Sequence, residues 1–190
     1  MRRVNRIMRL LVVTGMSISF VACSQTKTEE SNHAEHQHDE SAEEVKEEVV
    51  EMSVSREQSR SILAAYLEIK DALVKTDGEQ ASTAAAKLVE VLGDIQDKLI
   101  EDIKFDAEHI EETKAADHQR DHFNSLSDNI YTLIKSTQAN NEVIYRQYCP
   151  MAFDNKGAFW LSAEKEVNNP YFGDMMLHCG SVKETLAILE

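Results

Sequence analysis

Ser55-Arg-Glu-Gln-Ser-Arg-Ser-Ile-Leu-Ala-Ala-Tyr-Leu-Glu-Ile-Lys-Asp-Ala-Leu73 is the stretch on which the reading of the fold turns. It opens with a capping box, Ser55-Arg-Glu-Gln58, in which hydroxyl and amide side chains each satisfy a backbone donor left over at a helix start. Ile62, Tyr66, Ile69 and Leu73 follow at spacings of four, three and four, which puts them on one face of a helix. Asp77-Gly78 reads as a turn. Beyond it Ala81, Ala85, Leu88, Leu92, Ile95, Leu99 and Ile103 make a second helical stripe, with alanines at one end for close approach. Phe105-Asp106 reads as a short connection. A third helical segment extends from Ala107 to Lys135, weakly patterned between Glu111 and Asp121 and firm at Phe123, Leu126, Ile130 and Leu133. Amphipathic helices on short connections bury their stripes by packing antiparallel. The expected fold is mainly α: an antiparallel bundle of three or four helices over residues 54–139, then a small C-terminal α+β cap over residues 140–190.

Upstream of Ser55 the composition changes. Between Ser24 and Val54 there are ten acidic residues, two Lys and no aromatic residue. That is too little apolar surface to offset the entropy of ordering, so residues 23–53 read as a disordered acidic tether. Within it His33, His36 and His38 form H-x-x-H-x-H beside Glu35 and Asp39. They either chelate Cu(II), Zn(II) or Ni(II) weakly or simply belong to a polar leash. Residues 1–22 carry four Arg and a short apolar run, the layout of an export signal. The run falls short of the about 20 apolar residues that a membrane span needs. Phe20-Val-Ala-Cys23 resembles a bacterial lipobox, with Phe20 where Leu is usual. That resemblance implies a lipoprotein signal peptide, with Cys23 as the acylated, palmitate-bearing N-terminus. The alternative is a plain secretory signal with Cys23 left as a thiol. On either reading the protein leaves the cytoplasm; on the first it is lipid-anchored to a bacterial membrane, facing the periplasm or the outside.

The charge balance narrows the partners. The formal net charge is −14, and losing residues 1–22 removes four Arg and no acid, leaving 168 residues with 16 basic and 34 acidic side chains, or −18. Such acidity argues against nucleic acid and anionic lipid and suits a surface that attracts cations. No Gly-rich phosphate loop, nucleophile elbow, zinc-protease helix or C-x-x-C pair is present, so no enzyme is expected.

The chemistry concentrates between Tyr145 and Gly180. Val143-Ile-Tyr-Arg-Gln-Tyr148 and Ala158-Phe-Trp-Leu161 flank the turn Asp154-Asn-Lys-Gly157 and read as a hairpin. Ser181-Val-Lys-Glu184 is a second capping box, expected to open a short final helix with Val182, Leu186 and Leu189 on its apolar side. Two soft-donor clusters bracket the stretch: Cys149/Met151 and Met175/Met176/His178/Cys179. Such donors suit Cu(I) or a similar thiophilic ion. On an extended strand Cys149 and Met151 point the same way, and on a helical turn Met175 and Cys179 share a side. Three plainer readings stand beside this one. Cys149 and Cys179 form a disulfide, stabilising by about 3–4 kcal/mol; the methionines fill core gaps; and Trp160, Tyr171 and Phe172 are core. A separate pair, His118 and His122, is spaced i, i+4 and either grips a metal ion or is ordinary helix surface. His109, nine residues before His118, falls off that face of a continuous helix.

Cys149-Pro-Met-Ala, Gly157-Ala-Phe-Trp-Leu-Ser162, Asn169-Pro-Tyr-Phe-Gly173 and Met176-Leu-His-Cys-Gly180 resemble an uncharacterised bacterial domain family. That domain occurs in stand-alone lipoproteins and as a C-terminal extension of periplasmic adaptor (membrane-fusion) proteins of copper/silver-type efflux pumps. The resemblance covers residues 55–190 and is most specific from Tyr145 to Glu184. Tyr148-Cys-Pro-Met151 also resembles a short heavy-metal-binding motif, with Ala152 in place of its histidine. The resemblance implies heavy-metal homeostasis and efflux adaptor or pump proteins as partners. The leading expectation is an exported lipoprotein that binds Cu(I) or Ag(I) through Cys149, Met151, Met175 or Met176, and Cys179, with His178 as an alternate ligand. The competing one is a disulfide-stapled, non-metal interaction module of the cell envelope.

Overall fold

In the computed structural model, which describes residues 54–188, helix α1 (Arg56–Val74) grows out of the capping box. Gln58 N–H donates to Ser55 Oγ at 3.2 Å, and Ser55 N–H donates to Gln58 Oε1 at 3.0 Å. Ile62, Tyr66, Ile69 and Leu73 are all buried. Helix α2 (Gly78–Leu92) begins on Asp77, whose carboxylate accepts the Gln80 N–H at 2.9 Å.

The second stripe is broken into two helices, contrary to expectation. α2 ends at Gly93, whose φ of 51° is ordinary for glycine and disfavoured for other residues. Helix α3 (Lys98–Glu111) starts after Asp97, whose carboxylate accepts the N–H groups of Leu99 and Ile100 at 2.9 and 3.4 Å. The Leu92-to-Leu99 spacing keeps helical rhythm across the corner, which is why periodicity alone does not register it. Phe105-Asp106 is no connection; it lies inside α3.

The third expected segment divides as well. α3 stops at Glu111, and helix α4 (Ala116–Thr137) starts without a side-chain cap on Ala115. Buried Gln119 serves the carbonyl side of this reversal instead: its Nε2 donates to the carbonyls of Ile110, Thr113 and Gly78 at 3.1, 2.7 and 2.9 Å. One amide thus ties the end of α3, the following turn and the start of α2. The result is a bundle of four long helices in which consecutive helices pack together and α4 closes back on α1.

The chain then forms an antiparallel sheet of three strands in the order β2-β1-β3, with β1 at Ile144–Cys149, β2 at Ala158–Ser162 and β3 at Ser181–Leu186. The β1–β2 hairpin pairs Gln147 with Trp160 and Cys149 with Ala158. Its connection holds a short turn, α5 (Ala152–Asn155), in which Phe153, Asp154 and Asn155 have φ of 51°, 57° and 65°. Three successive non-glycine residues there wind left-handed.

The expected final helix is instead strand β3. Glu184 and Leu186 stand opposite Arg146 and Ile144 on one face, while a register shift between Arg146 and Gln147 sets Val182 opposite Gln147. Glu184 accepts from Tyr131 Oη at 2.7 Å and Lys135 Nζ at 2.9 Å, both on α4. A helix-capping role for Glu184 loses to those two tertiary partners.

Sheet and bundle meet at Tyr66. Its hydroxyl accepts the Leu161 N–H at 3.0 Å, lies 2.9 Å from Ser127 Oγ, and its ring stacks on Phe123 at 5.2 Å. Burial drives its phenol far above the ordinary range. Trp160 and Tyr171 are buried core, and Phe172 packs against them half-exposed. No helix among the described residues is long and apolar enough to cross a membrane. The expected signal peptide, Cys23, the expected tether with His33, His36 and His38, and Leu189 lie outside the described residues.

Candidate functional site

Cys149 and Cys179, which stand 30 positions apart, meet with their Sγ atoms 3.4 Å apart, both as free thiols. Cys149 closes β1 and is fully buried, whereas Cys179 sits half-exposed just before β3. Cys179 is set by its loop. The Asn169 side chain, itself fully buried, donates to the Cys179 carbonyl at 2.9 Å, while the Cys179 N–H donates to the Met176 carbonyl at 3.0 Å. Asn169 also accepts the Tyr171 N–H on its side-chain oxygen and donates its own N–H to the Leu177 carbonyl. Gly180 completes the approach: a Cβ there would meet the Tyr148 carbonyl at 2.8 Å and Trp160 at 3.1 Å. Both residues are visible in the sequence only as turn formers. Their role depends on what the chain brings beside them.

The Cys149 sulfur and then burial push the Cys179 thiol above its ordinary value. A Cys179 thiol raised in this way has to give up its proton before it can bind a cation or be oxidised. A tetrahedral or trigonal ion holding two thiolates at about 2.3 Å sets the sulfurs roughly 3.8–4.0 Å apart. The observed pair is a few tenths of an ångström short of that, so its two donors fit a soft ion after a small opening.

The other expected ligands are placed differently. β1 ends at Cys149, so Met151 lies beyond it in the turn, 46% exposed, and does not continue the strand's alternation. Met175 belongs to a single 3-10 turn (Gly173–Met175) and is 76% exposed, so the helical turn expected to pair it with Cys179 does not form. Met176 is half-buried, and the Nδ1 of exposed His178 lies 2.9 Å from the Val167 carbonyl.

His118 and His122 are neighbours on α4 with ring centres 5.1 Å apart. The α3–α4 reversal adds a residue that the continuous-helix arithmetic excluded: His109 stacks on His122 at 4.4 Å. Among the described residues no group of three or more His, Cys, Asp or Glu side chains is already arranged as a metal cage.

Residues 62–142 match the model of a family described as a protein of unknown function (DUF3347). The matched segment spans most of the bundle and ends before β1, so His109, His118 and His122 fall inside it and Cys149, His178 and Cys179 outside. No curated protein and no solved structure matches the chain.

Proposed function

We propose that this is an exported, lipid-anchored protein that binds a soft monovalent ion, Cu(I) or Ag(I), through the Cys149/Cys179 dithiol in heavy-metal homeostasis or efflux. The observation that carries the reading is the 3.4 Å approach of the two sulfurs, one buried and one facing solvent. A buried thiolate gives a dry anchor, and a half-exposed partner gives the ion a way in. Met151 and Met175 are exposed, flexible thioethers two residues after Cys149 and four before Cys179, and supply further soft donors by swinging inward. The N-terminal export pattern and the resemblance to domains attached to efflux adaptors support the same reading, with the membrane and efflux adaptor or pump proteins as partners.

A second reading has its own observation: Met151 and Met175 are solvent-facing, as expected of a contact surface. In that case Cys149 and Cys179 close to a disulfide that staples a docking module, and no metal is handled. A competitive Cu(I) titration of the reduced mature chain against a chromophoric chelator separates the two, run beside Cys149→Ser, Cys179→Ser and Met175→Leu, with free thiols counted before reduction. The metal reading expects one ion per chain, binding lost in either Ser variant, and weaker binding in Met175→Leu. No binding, with no free thiols in the isolated protein, would sink it in favour of the staple.

A further inference from the structure

Three imidazoles gather where α3 and α4 lie side by side. His109 comes from the last turn of α3, and His118 and His122 from the first turns of α4. The more enclosed two have their Nδ1 atoms engaged. His122 Nδ1 lies 3.1 Å from Oδ1 of Asp106, a carboxylate only 5% exposed, and His109 Nδ1 lies 2.8 Å from the Phe105 carbonyl. A carbonyl oxygen only accepts, so that contact places the His109 proton on Nδ1 and leaves the lone pair on Nε2. Asp106 Oδ1, facing His122 Nδ1, is placed to orient His122 in the same way. This is the arrangement by which proteins hold imidazoles for a metal: one nitrogen donates to a fixed acceptor and the other is presented as a ligand.

From these contacts we propose that His109, His118 and His122 form a binding site for a borderline divalent cation of the Zn(II) type. Their Nε2 atoms are the ligands, and Asp106 and the Phe105 carbonyl are the acceptors that orient them. The donor set is imidazole, so the site differs in chemistry from the sulfur pair on the cap and does not rest on the reading of that pair. Spacing measures how far the rings are from closing on an ion. Imidazoles ligating at about 2.1 Å place their ring centres roughly 5 Å apart around a tetrahedral ion. His118 and His122 are already at 5.1 Å, whereas His109 and His122, stacked at 4.4 Å with planes 23° apart, have to turn as well as open, because the in-plane lone pairs of stacked rings run side by side. Phe105, 55% exposed, covers the outer side with its ring 4.3 Å from that of His109. A fourth position is left to water.

The test is Zn(II) binding to the mature chain with His33, His36 and His38 replaced by Asn and Cys149 and Cys179 by Ser. Calorimetry counts the sites, and imidazole nitrogen NMR identifies the rings that respond. One equivalent of Zn(II) is expected to shift the signals of His109, His118 and His122 together. His109→Asn and His118→Asn, both at solvent-accessible positions, should each weaken binding at least about tenfold, and Asp106→Asn by about 10- to 100-fold. The NMR experiment on the chain with its cysteines intact repeats the test should the Ser variants fail to fold. Zn(II) that moves none of the three rings, or that binds His109→Asn as tightly as the parent, would overturn the proposal.

Discussion

The bundle and the cap are held together by different physics. In the bundle most of the large buried side chains are Ile, Leu, Tyr and Phe on helical stripes, and polar groups work largely at helix ends, as Ser55, Asp77, Asp97 and Gln119 do; the buried cations Lys70 and Arg120 are the exceptions, and both reach into the cap, to Glu164 and the Pro170 carbonyl. In the cap the regular structure is three short strands, and the long connection between β2 and β3 is fixed by side chains bonding backbone. Gln147 donates to the carbonyls of Glu164, Lys165 and Glu166 at 2.9, 3.4 and 3.1 Å, and Asn169 organises Tyr171, Leu177 and Cys179. A bundle of this kind tolerates exchanges that keep volume and shape. A cap so built depends on the identity of a few amides, because a buried carbonyl stripped of its donor keeps the whole desolvation penalty.

The largest expected effect is in the bundle. Phe123→Ala removes a fully buried ring that touches Tyr66 and Tyr171 and should cost about 3–5 kcal/mol in urea unfolding. Because Phe123 sits at the junction, both regions should melt together; an intact bundle signal after the cap has unfolded would show that the two are separable.

Asn169→Ala is expected to cost less, about 2–3 kcal/mol from the polar groups left unpaired. It should also displace Cys179 and lower Cu(I) affinity without removing a sulfur. If Cu(I) affinity is unchanged, the amide serves the loop and not the dithiol.

The smallest effect is at the seam between β3 and α4. The hydrogen bonds from Lys135 and then Tyr131 hold the Glu184 carboxyl below its ordinary value of 4.5. A carboxyl lowered by folding contributes stability that is present above the ordinary value and lost as pH falls through the lowered one. Glu184→Gln should therefore cost under about 1 kcal/mol at neutral pH, since the pair is partly exposed. It should also flatten the acid side of the stability curve below pH 4.5, a slope readable by urea melts at several pH values.

The sequence made helices legible wherever a cap and a stripe agreed, as at Ser55 and Ile62–Leu73. It hid the corner at Gly93–Asp97, where the backbone turns while the apolar spacing runs on, and it marked the corner at Glu112–Ala115 only as a weakening of the pattern between Glu111 and Asp121, a bend or a more exposed stretch and not a full reversal. The second oversight also removed His109 from consideration, since nine residues along a straight helix face away while a reversal at Glu112 faces back. At Ser181 the local signal was sound and lost: Ser-Val-Lys-Glu suits a helix start, but pairing with β1 and the two α4 donors to Glu184 favour a strand. The cysteines and methionines were visible in the sequence as two clusters. That Cys149 and Cys179 meet depends on Asn169 and Gly180, which look like any other turn residues until the chain is folded.

The turn at Phe153–Asn155 is a piece of mirror-image winding inside an L-amino-acid protein. Each of those residues sits where its Cβ crowds the following carbonyl, at roughly 1–2 kcal/mol apiece, a sizeable share of the 5–15 kcal/mol by which about any domain is stable. The contacts made just there, Phe153 edge-on to Tyr171 at 5.4 Å and Ala152 buried beneath, hold the chain in that opposite hand. Chirality itself is thus a design variable at this spot: a D-amino acid placed at Asp154 by semisynthesis would fit the backbone more comfortably than the natural residue.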